Sequence, residues 1–487
     1  MILAIDQGTT GSTALVVSER AEILGRGYAP ALSRYPRPGW VEQDAMQLLT
    51  SVHRAADAAL ADSGRPAIRS IGITNQRETA VAWSARTGRP LTPAIVWQCR
   101  RTSERCAELE AAGHAPTVRR LTGLVVDPYF SATKFGWMLH NVPDVATANG
   151  AGDLRFGTVD AWLIWNLTGG AHVTDASNGS RTALMDIGTA TWSPELADLF
   201  DVPLDALPEI VDSSQCVGGT CASGPWATGI PICGIAGDQQ AALFGHLAAA
   251  SGDIKVTYGT GCFLLQNVGG RRPTDVPGLL STIAWRLRGV VTYALEGSIF
   301  VGGDLIAWLV DELGLIGSAE ESEALARGVA DSAGAVIVPA FAGLGAPHWD
   351  STARGVILGL TRGVTRAHLC RAALEAIGHQ VADVLELMPS SYAPLRVDGG
   401  AAGNDLLLEL QATIADRPVH RPAQLETTAL GAAYLAGLGT GIWSSVDELR
   451  CLCSGEQVFA PDPAMRSMSR DIWQRALGRA AGWNVGP

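Results

Sequence analysis

Apolar and polar positions change period along this chain in blocks. Ile2-Leu3-Ala4-Ile5 and Ala14-Leu15-Val16-Val17 are apolar runs of strand length, separated by Gly8-Thr9-Thr10-Gly11 and carrying Asp6 at the end of the first run. The same order of strand, turn and strand returns at Ile254 to Tyr258, Gly259-Thr260-Gly261 and Cys262 to Val268. Helical spacing predicts helices over Ala45 to Ala61, Ala161 to Leu167, Ala241 to Ala250, Leu369 to Met388 and Asp405 to Ile414. Short apolar runs predict strands at Ile71 to Thr74, Phe156 to Val159, Ile232 to Ala236, Val336 to Val338 and Leu395 to Val397. The Pro-rich stretch Arg34 to Glu42 reads as a surface loop. Strands alternating with helices predict an α/β chain, and the repeated hairpin predicts two related halves facing one cleft. At 487 residues the chain exceeds what one core usually serves, which predicts two domains with a hinge near Gly245 to Gly252.

Both turns have the composition of a phosphate site. Glycines let the backbone bend sharply and approach an anion, threonine hydroxyls and turn amides donate to phosphate oxygens, and Asp6 can hold a cation. An ordinary hairpin with a polar turn has the same composition. Asp238 ends the run Ile232 to Ala236 after Gly237 and precedes Gln239 and Gln240, which can only hydrogen-bond. A carboxylate there can accept a proton from an attacking hydroxyl or bind a cation; it can equally cap a helix. Asn75-Gln76-Arg77-Glu78 follows a strand and offers the donors and acceptors that a hydroxyl-rich substrate needs, or forms a solvated loop with an internal ion pair. Trp97 and Phe263 can line the carbon face of a small polyol, or pack in the core.

Charge narrows the picture further. A formal net charge of -12 argues against a nucleic-acid partner and against an anionic membrane. The uncharged run between Asp331 and Asp350 is broken by Pro339 and Pro347, so no membrane span is expected, and no signal peptide precedes Asp6. Lys134 and Lys255 are the only lysines and neither follows a glycine, which excludes the Gly-Lys-Ser/Thr phosphate loop. Nine cysteines without a Cys-x-x-Cys pair predict a reduced, cytoplasmic protein with structural thiols, Cys451 and Cys453 alternating on a short strand. The nine histidines show no metal spacing, and no nucleophile elbow is present.

Eight ordered segments resemble the FGGY carbohydrate kinases, and within them the glycerol kinases. They are Asp6 to Thr10, Gly72 to Thr79, Ala94 to Gln98, Asp127 to Ser131, Ala236 to Gly245, Tyr258 to Phe263, Phe341 to Pro347 and Val397 to Ala401. The resemblance implies a ribonuclease H-like, actin-type fold with domains at 1–246 and 247–487, and transfer of the γ-phosphoryl group of ATP to glycerol with Mg2+. It assigns Arg77, Glu78, Tyr129, Asp238 and Gln239 to the glycerol hydroxyls and Trp97 and Phe263 to its carbons, with Asp238 as general base. It assigns Thr9, Thr10, Gly11, Thr260 and Gly303 to the phosphates, Gly400 and Asn404 to the adenosine end, and Asp6 with Asp238 to magnesium. A homo-oligomer is left open. Thr13 stands where these kinases commonly carry an arginine and Ala307 where they often carry a glutamine; a lost charge-assisted contact is worth roughly 1.5 to 3 kcal/mol. The stretch Ala222 to Ile232 resembles a shortened form of an effector loop.

Overall fold

The computed structural model describes residues 1–273, 275–389, 392–453 and 455–483. Two mixed sheets dominate it, and each is built outward from one of the two hairpins. In the first sheet, Ile2–Gln7 pairs antiparallel with Gly11–Val17, which pairs with the edge strand Ile23–Pro30. On its other side, Ile2–Gln7 pairs in parallel with Ser70–Asn75, and that strand in parallel with Pro231–Gly237. The second sheet repeats the plan: Ile254–Tyr258 pairs antiparallel with Cys262–Gly269 and in parallel with Leu395–Asp398, beside Val419–Pro422.

Parallel pairing sets what lies at the sheet ends. Asp6, Thr74 and Ala236 are register neighbours, as are Gln7, Asn75 and Gly237. The carboxyl ends of all three strands therefore open at one level, where Arg77, Glu78 and Asp238 follow within three residues, the usual place for a ligand in an α/β sheet. In the second sheet Thr257 is level with Asp398, one residue before the turn region begins at Tyr258 and Gly399.

Helices cover the sheets. Ala45–Asp62 packs on the first hairpin and starts at Asp44, whose carboxylate accepts the Met46 and Gln47 amides. Thr427–Gly439 comes late in the chain yet packs on Asp238–Gly245 and on the strands of the first sheet. Its apolar residues Ala429, Leu430, Ala433 and Ala436 share one cluster with Ile2, Ala4, Leu243 and Phe244. No helix among the described residues is long and apolar enough to cross a membrane.

Three expectations need correction. The helix expected over Ala241 to Ala250 runs from Asp238 to Gly245, because Gly237 is extended and the helical turn starts directly after it. Cys451 lies in the helix Val446–Leu452, with Cys453 at its end, rather than on a strand. Cys216 and Cys233, expected as free thiols, form a disulfide. Pairing of Gly218 with Ile232 brings them side by side, which their separation of 17 residues conceals.

Candidate active site

Four buried charges form a closed set beneath the cleft. Arg77 donates through its two terminal nitrogens to Glu296, at 2.6 and 3.0 Å. Arg181 donates to the same carboxylate at 3.1 Å and through Nε to Glu78 at 2.7 Å, and Glu78 lies 3.8 Å from Arg77 Nε. None of the four is more than 2% exposed. Two guanidiniums and two carboxylates balance in charge, which a site shut off from water requires. Burial works against the Glu296 carboxylate, but Arg181 and Arg77 outweigh it and hold its pKa down at about 2. Burial raises the Glu78 pKa, with Arg77 and Arg181 pulling against it. Glu78 has a left-handed backbone, φ 62°, a conformation kept only where its surroundings hold it.

Asp238 borders this set on its open side. Its Oδ1 accepts from its neighbour's amide, Gln239 N, at 2.7 Å and lies 3.1 Å from Arg77 Nε. Gly237 is the helix cap, so the Asp238 side chain is free of that role and faces the cleft, its side chain 29% exposed. Burial raises its pKa, and Arg77 and Lys255 moderate the rise. Burial, then the charges of Asp238 and Glu426, push Asp6 well above the usual carboxylate range. Asp6 lies level with Thr74 and Ala236, two residues before Asp238, so both carboxylates sit at the carboxyl ends of one sheet. Because no side-chain hydrogen bond holds Asp6 among the described residues, the pair fits a divalent cation.

Aromatic residues join the Arg77 set to the first turn. Trp97 and Tyr129 meet edge to face with ring centroids 5.6 Å apart, and the Tyr129 hydroxyl lies 3.5 Å from Arg77. Trp97 was expected only as an apolar wall; its indole N–H also donates to Thr9 Oγ1 at 2.9 Å. A hydroxyl that accepts this bond keeps its own proton for another acceptor. Phe263 pairs in register with Ser298 on the second sheet, two residues beyond Glu296.

The second turn packs on two glycine-rich segments. Gly303 N–H donates to the Gly259 carbonyl at 2.8 Å, and Gly302 N–H to that of Thr260 at 2.7 Å. Gly399 takes φ 87°, and a Cβ there would lie 2.5 Å from the Tyr258 carbonyl oxygen, so only glycine passes beneath the turn. Gly400 and Gly403 have no neighbouring atom within 4 Å of where a Cβ would stand. Bare backbone next to open space suits a flat heterocycle. Asn404 caps the helix Asp405–Ala415, accepting the Leu407 amide at 2.9 Å, which leaves its amide nitrogen toward Ser322 Oγ at 3.5 Å.

Lys255 links the second sheet to Gln239. Its ammonium donates to Gln239 Oε1 and, at 2.7 Å, to Thr257 Oγ1, while burial lowers its pKa to about 8. On the same strand level, Asp398 accepts from His246 Nε2 at 2.9 Å and from Thr427 Oγ1. Burial opposes the Asp398 charge, but His246 and Lys255 keep its pKa at about 2.

Arg181, Glu296 and Lys255 were not singled out from the sequence. For Lys255 and Glu296 the signal was a charge within an apolar strand, Lys255 between Ile254 and Val256 and Glu296 between Leu295 and Ile299, whereas Arg181 lies in a polar turn that carries no such signal. Such a residue, buried on a strand, needs a partner. The expected acceptor residues Arg77, Glu78, Tyr129 and Asp238 are brought together, as are Thr260, Gly303 and the Gly399 to Asn404 segment. Thr13 lies level with Asp6, and Ala307 is on the helix Asp304–Asp311 behind Gly303.

Comparison with known proteins gives a consistent result. Models of the FGGY family of carbohydrate kinases match residues 1–245 with the N-terminal domain and 254–440 with the C-terminal domain. The chain is 53% identical to a glycerol kinase of Aromatoleum aromaticum, covering 99% of both chains. It is 50% identical to one of Symbiobacterium thermophilum, covering 99% of this chain and 98% of that one. Among solved structures it is similar to a Plasmodium falciparum glycerol kinase with ADP, at TM-score 0.91 and 33% identity over 98% of each chain.

Proposed function

Because the chain belongs to the FGGY family of carbohydrate kinases, we propose that it transfers the γ-phosphoryl group of ATP to glycerol, giving sn-glycerol 3-phosphate and ADP. The observation that carries this reading is the contact between Asp238 and the buried Arg77 set, directly beside the Asp6 strand end. Its likeness to the glycerol kinases of Aromatoleum aromaticum and Symbiobacterium thermophilum supports the choice of acceptor.

In this reading residues 1–246 carry the acceptor site and first hairpin, and 247–487 the nucleotide side. Arg77, Glu78, Tyr129 and Gln239 orient the glycerol hydroxyls, with Trp97 and Phe263 against the carbons. Asp238 accepts the proton of the terminal hydroxyl as its oxygen bonds to the γ-phosphorus and the bond to the β,γ-bridging oxygen breaks. Thr9, Thr10 and Gly11 hold the phosphates from one side and Thr260 with Gly303 from the other, while Gly400 and Asn404 meet the adenosine. Asp6 and Asp238 would hold Mg2+, which offsets phosphate charge and fixes the phosphate oxygens in place. Phosphoryl transfer asks the protein mainly for positioning and charge neutralisation, so turns, hydroxyls and two carboxylates suffice. Closure of the two domains over the acceptor excludes the water that would otherwise take the phosphoryl group. The cytoplasm, where ATP is supplied, is the compartment this reading implies.

A coupled ADP-release assay across small polyols and sugars tests it. Glycerol is expected to give the highest kcat/KM. Faster turnover of a tetritol or a ketopentose would move the acceptor to another carbohydrate. ADP release that ignores every acceptor would point to a nucleotide-driven switch of the same fold.

A further inference from the structure

Tyr28 lies on the edge strand of the first sheet, 56% exposed and outside every core cluster. An exposed edge-strand aromatic usually turns its hydroxyl to water. This one turns back over the first hairpin, across from Thr13 on the neighbouring strand. Its hydroxyl donates to the Thr10 carbonyl at 3.2 Å, and the same carbonyl accepts the Ala31 amide at 2.9 Å. The ring covers Gly11 so closely that a Cβ there would lie 2.5 Å from the phenol oxygen and 2.6 Å from two ring carbons. A glycine at 11 and a tyrosine at 28 are therefore fitted to one another.

The consequence follows from peptide planarity. A carbonyl held from two sides fixes the plane of the Thr10–Gly11 peptide, and with it the direction of the Gly11 N–H. We propose that Tyr28 is a positioning residue of the donor site: it locks this peptide so that the turn amide meets the triphosphate, and its ring forms the outer wall of the turn. The proposal rests on the phosphate role given above to Thr9, Thr10 and Gly11.

Tyr28→Phe keeps the ring over Gly11 and removes only the hydroxyl. Mg-ADP affinity is measured by calorimetry without acceptor, alongside the KM values for Mg-ATP and glycerol. Loss of one hydrogen bond predicts a weakening of about three- to tenfold in ADP affinity and in the ATP KM. The glycerol KM and the unfolding midpoint should stay at wild type, whereas a merely structural tyrosine would move the midpoint or both KM values. Gly11→Ala, whose methyl displaces the ring, should reproduce the nucleotide loss, and combining it with Tyr28→Ala should add little to either change alone. Unchanged ADP affinity in Tyr28→Phe, or fully additive losses in the double variant, would overturn the proposal. Wild-type protein that binds Mg-ADP without phosphorylating glycerol would refute the acceptor and leave the Tyr28 result readable. Protein that binds no nucleotide would overturn both.

Discussion

The charged set beneath Asp238 and the two glycine turns are made of different materials. Arg77, Arg181, Glu78 and Glu296 are long side chains sealed from water, and both carboxylates are already paired with a guanidinium of the set. Thr10 and Thr260, at the tips of the turns, are exposed, and what surrounds them is mostly backbone. A buried ionic set cannot rearrange without leaving a charge unpaired, so the acceptor side is preorganised before any ligand arrives. In the proposed reading the donor side depends instead on glycine geometry and on a cation to offset the phosphates. Acceptor choice should therefore fail abruptly when one side chain is changed, and donor binding should erode in small steps.

The largest break is expected on the acceptor side, at its open edge. Asp238→Asn keeps the shape and removes the base, which should lower kcat by about 10²- to 10⁴-fold with glycerol affinity close to wild type, as read by coupled assay and calorimetry. As the proposed base, Asp238 works only when ionised, and burial raises its pKa. Turnover in the wild type should accordingly fall with decreasing pH at values above the ordinary aspartate range.

Glu296→Gln comes next. It leaves Arg77 and Arg181 without their shared carboxylate and should cost about 3 to 5 kcal/mol of unfolding free energy. Glycerol affinity should fall with it, while Mg-ADP affinity changes little. An equal loss in both affinities would erase the contrast between the two sides. With its pKa held at about 2, below the usual 4.5, Glu296 gives its full stabilisation above pH 4.5 and loses it as pH falls toward 2. That part of the acid-unfolding curve should flatten in the variant.

Trp97→Phe sharpens the comparison because Trp97 touches both sides. Phenylalanine keeps the apolar wall and removes the donor to Thr9, so the ATP KM should rise by about two- to tenfold and the glycerol KM by much less. The smallest effect belongs to Gly400→Ala, whose methyl meets no protein atom within 4 Å. Stability should stay within about 0.5 kcal/mol of wild type, with a modest rise in the ATP KM alone. A shift in the glycerol KM would remove Gly400 from the donor side.

The same contrast explains what could be read from the chain beforehand. Both turns were legible because glycine and threonine between apolar runs are local signals, and Asp238 because it ends such a run. Arg77 and Glu78 were visible as a polar quartet. Their counter-charges were not: Glu296, on the second sheet, is 219 residues from Arg77, and Arg181, in the turn after the helix Ala176–Gly179, is 103 from Glu78. The helix at Asp238 was placed three residues late because Gln239 and Gln240 carry no apolar period. Tyr28 carries no signal in the sequence, since its fit to Gly11 exists only across the sheet.

In the proposed reading both turns grip one Mg-ATP while Asp238 primes the alcohol beside it. A crystal structure with Mg2+, a non-hydrolysable ATP analogue and glycerol measures this directly. The triphosphate should run between the Gly8 to Gly11 and Gly259 to Gly261 turns, with a terminal glycerol hydroxyl about 2.6 to 3.2 Å from an Asp238 oxygen and in line with the γ-phosphorus. A triphosphate that touches only one turn, or a glycerol whose hydroxyls all lie beyond reach of Asp238, would contradict the account.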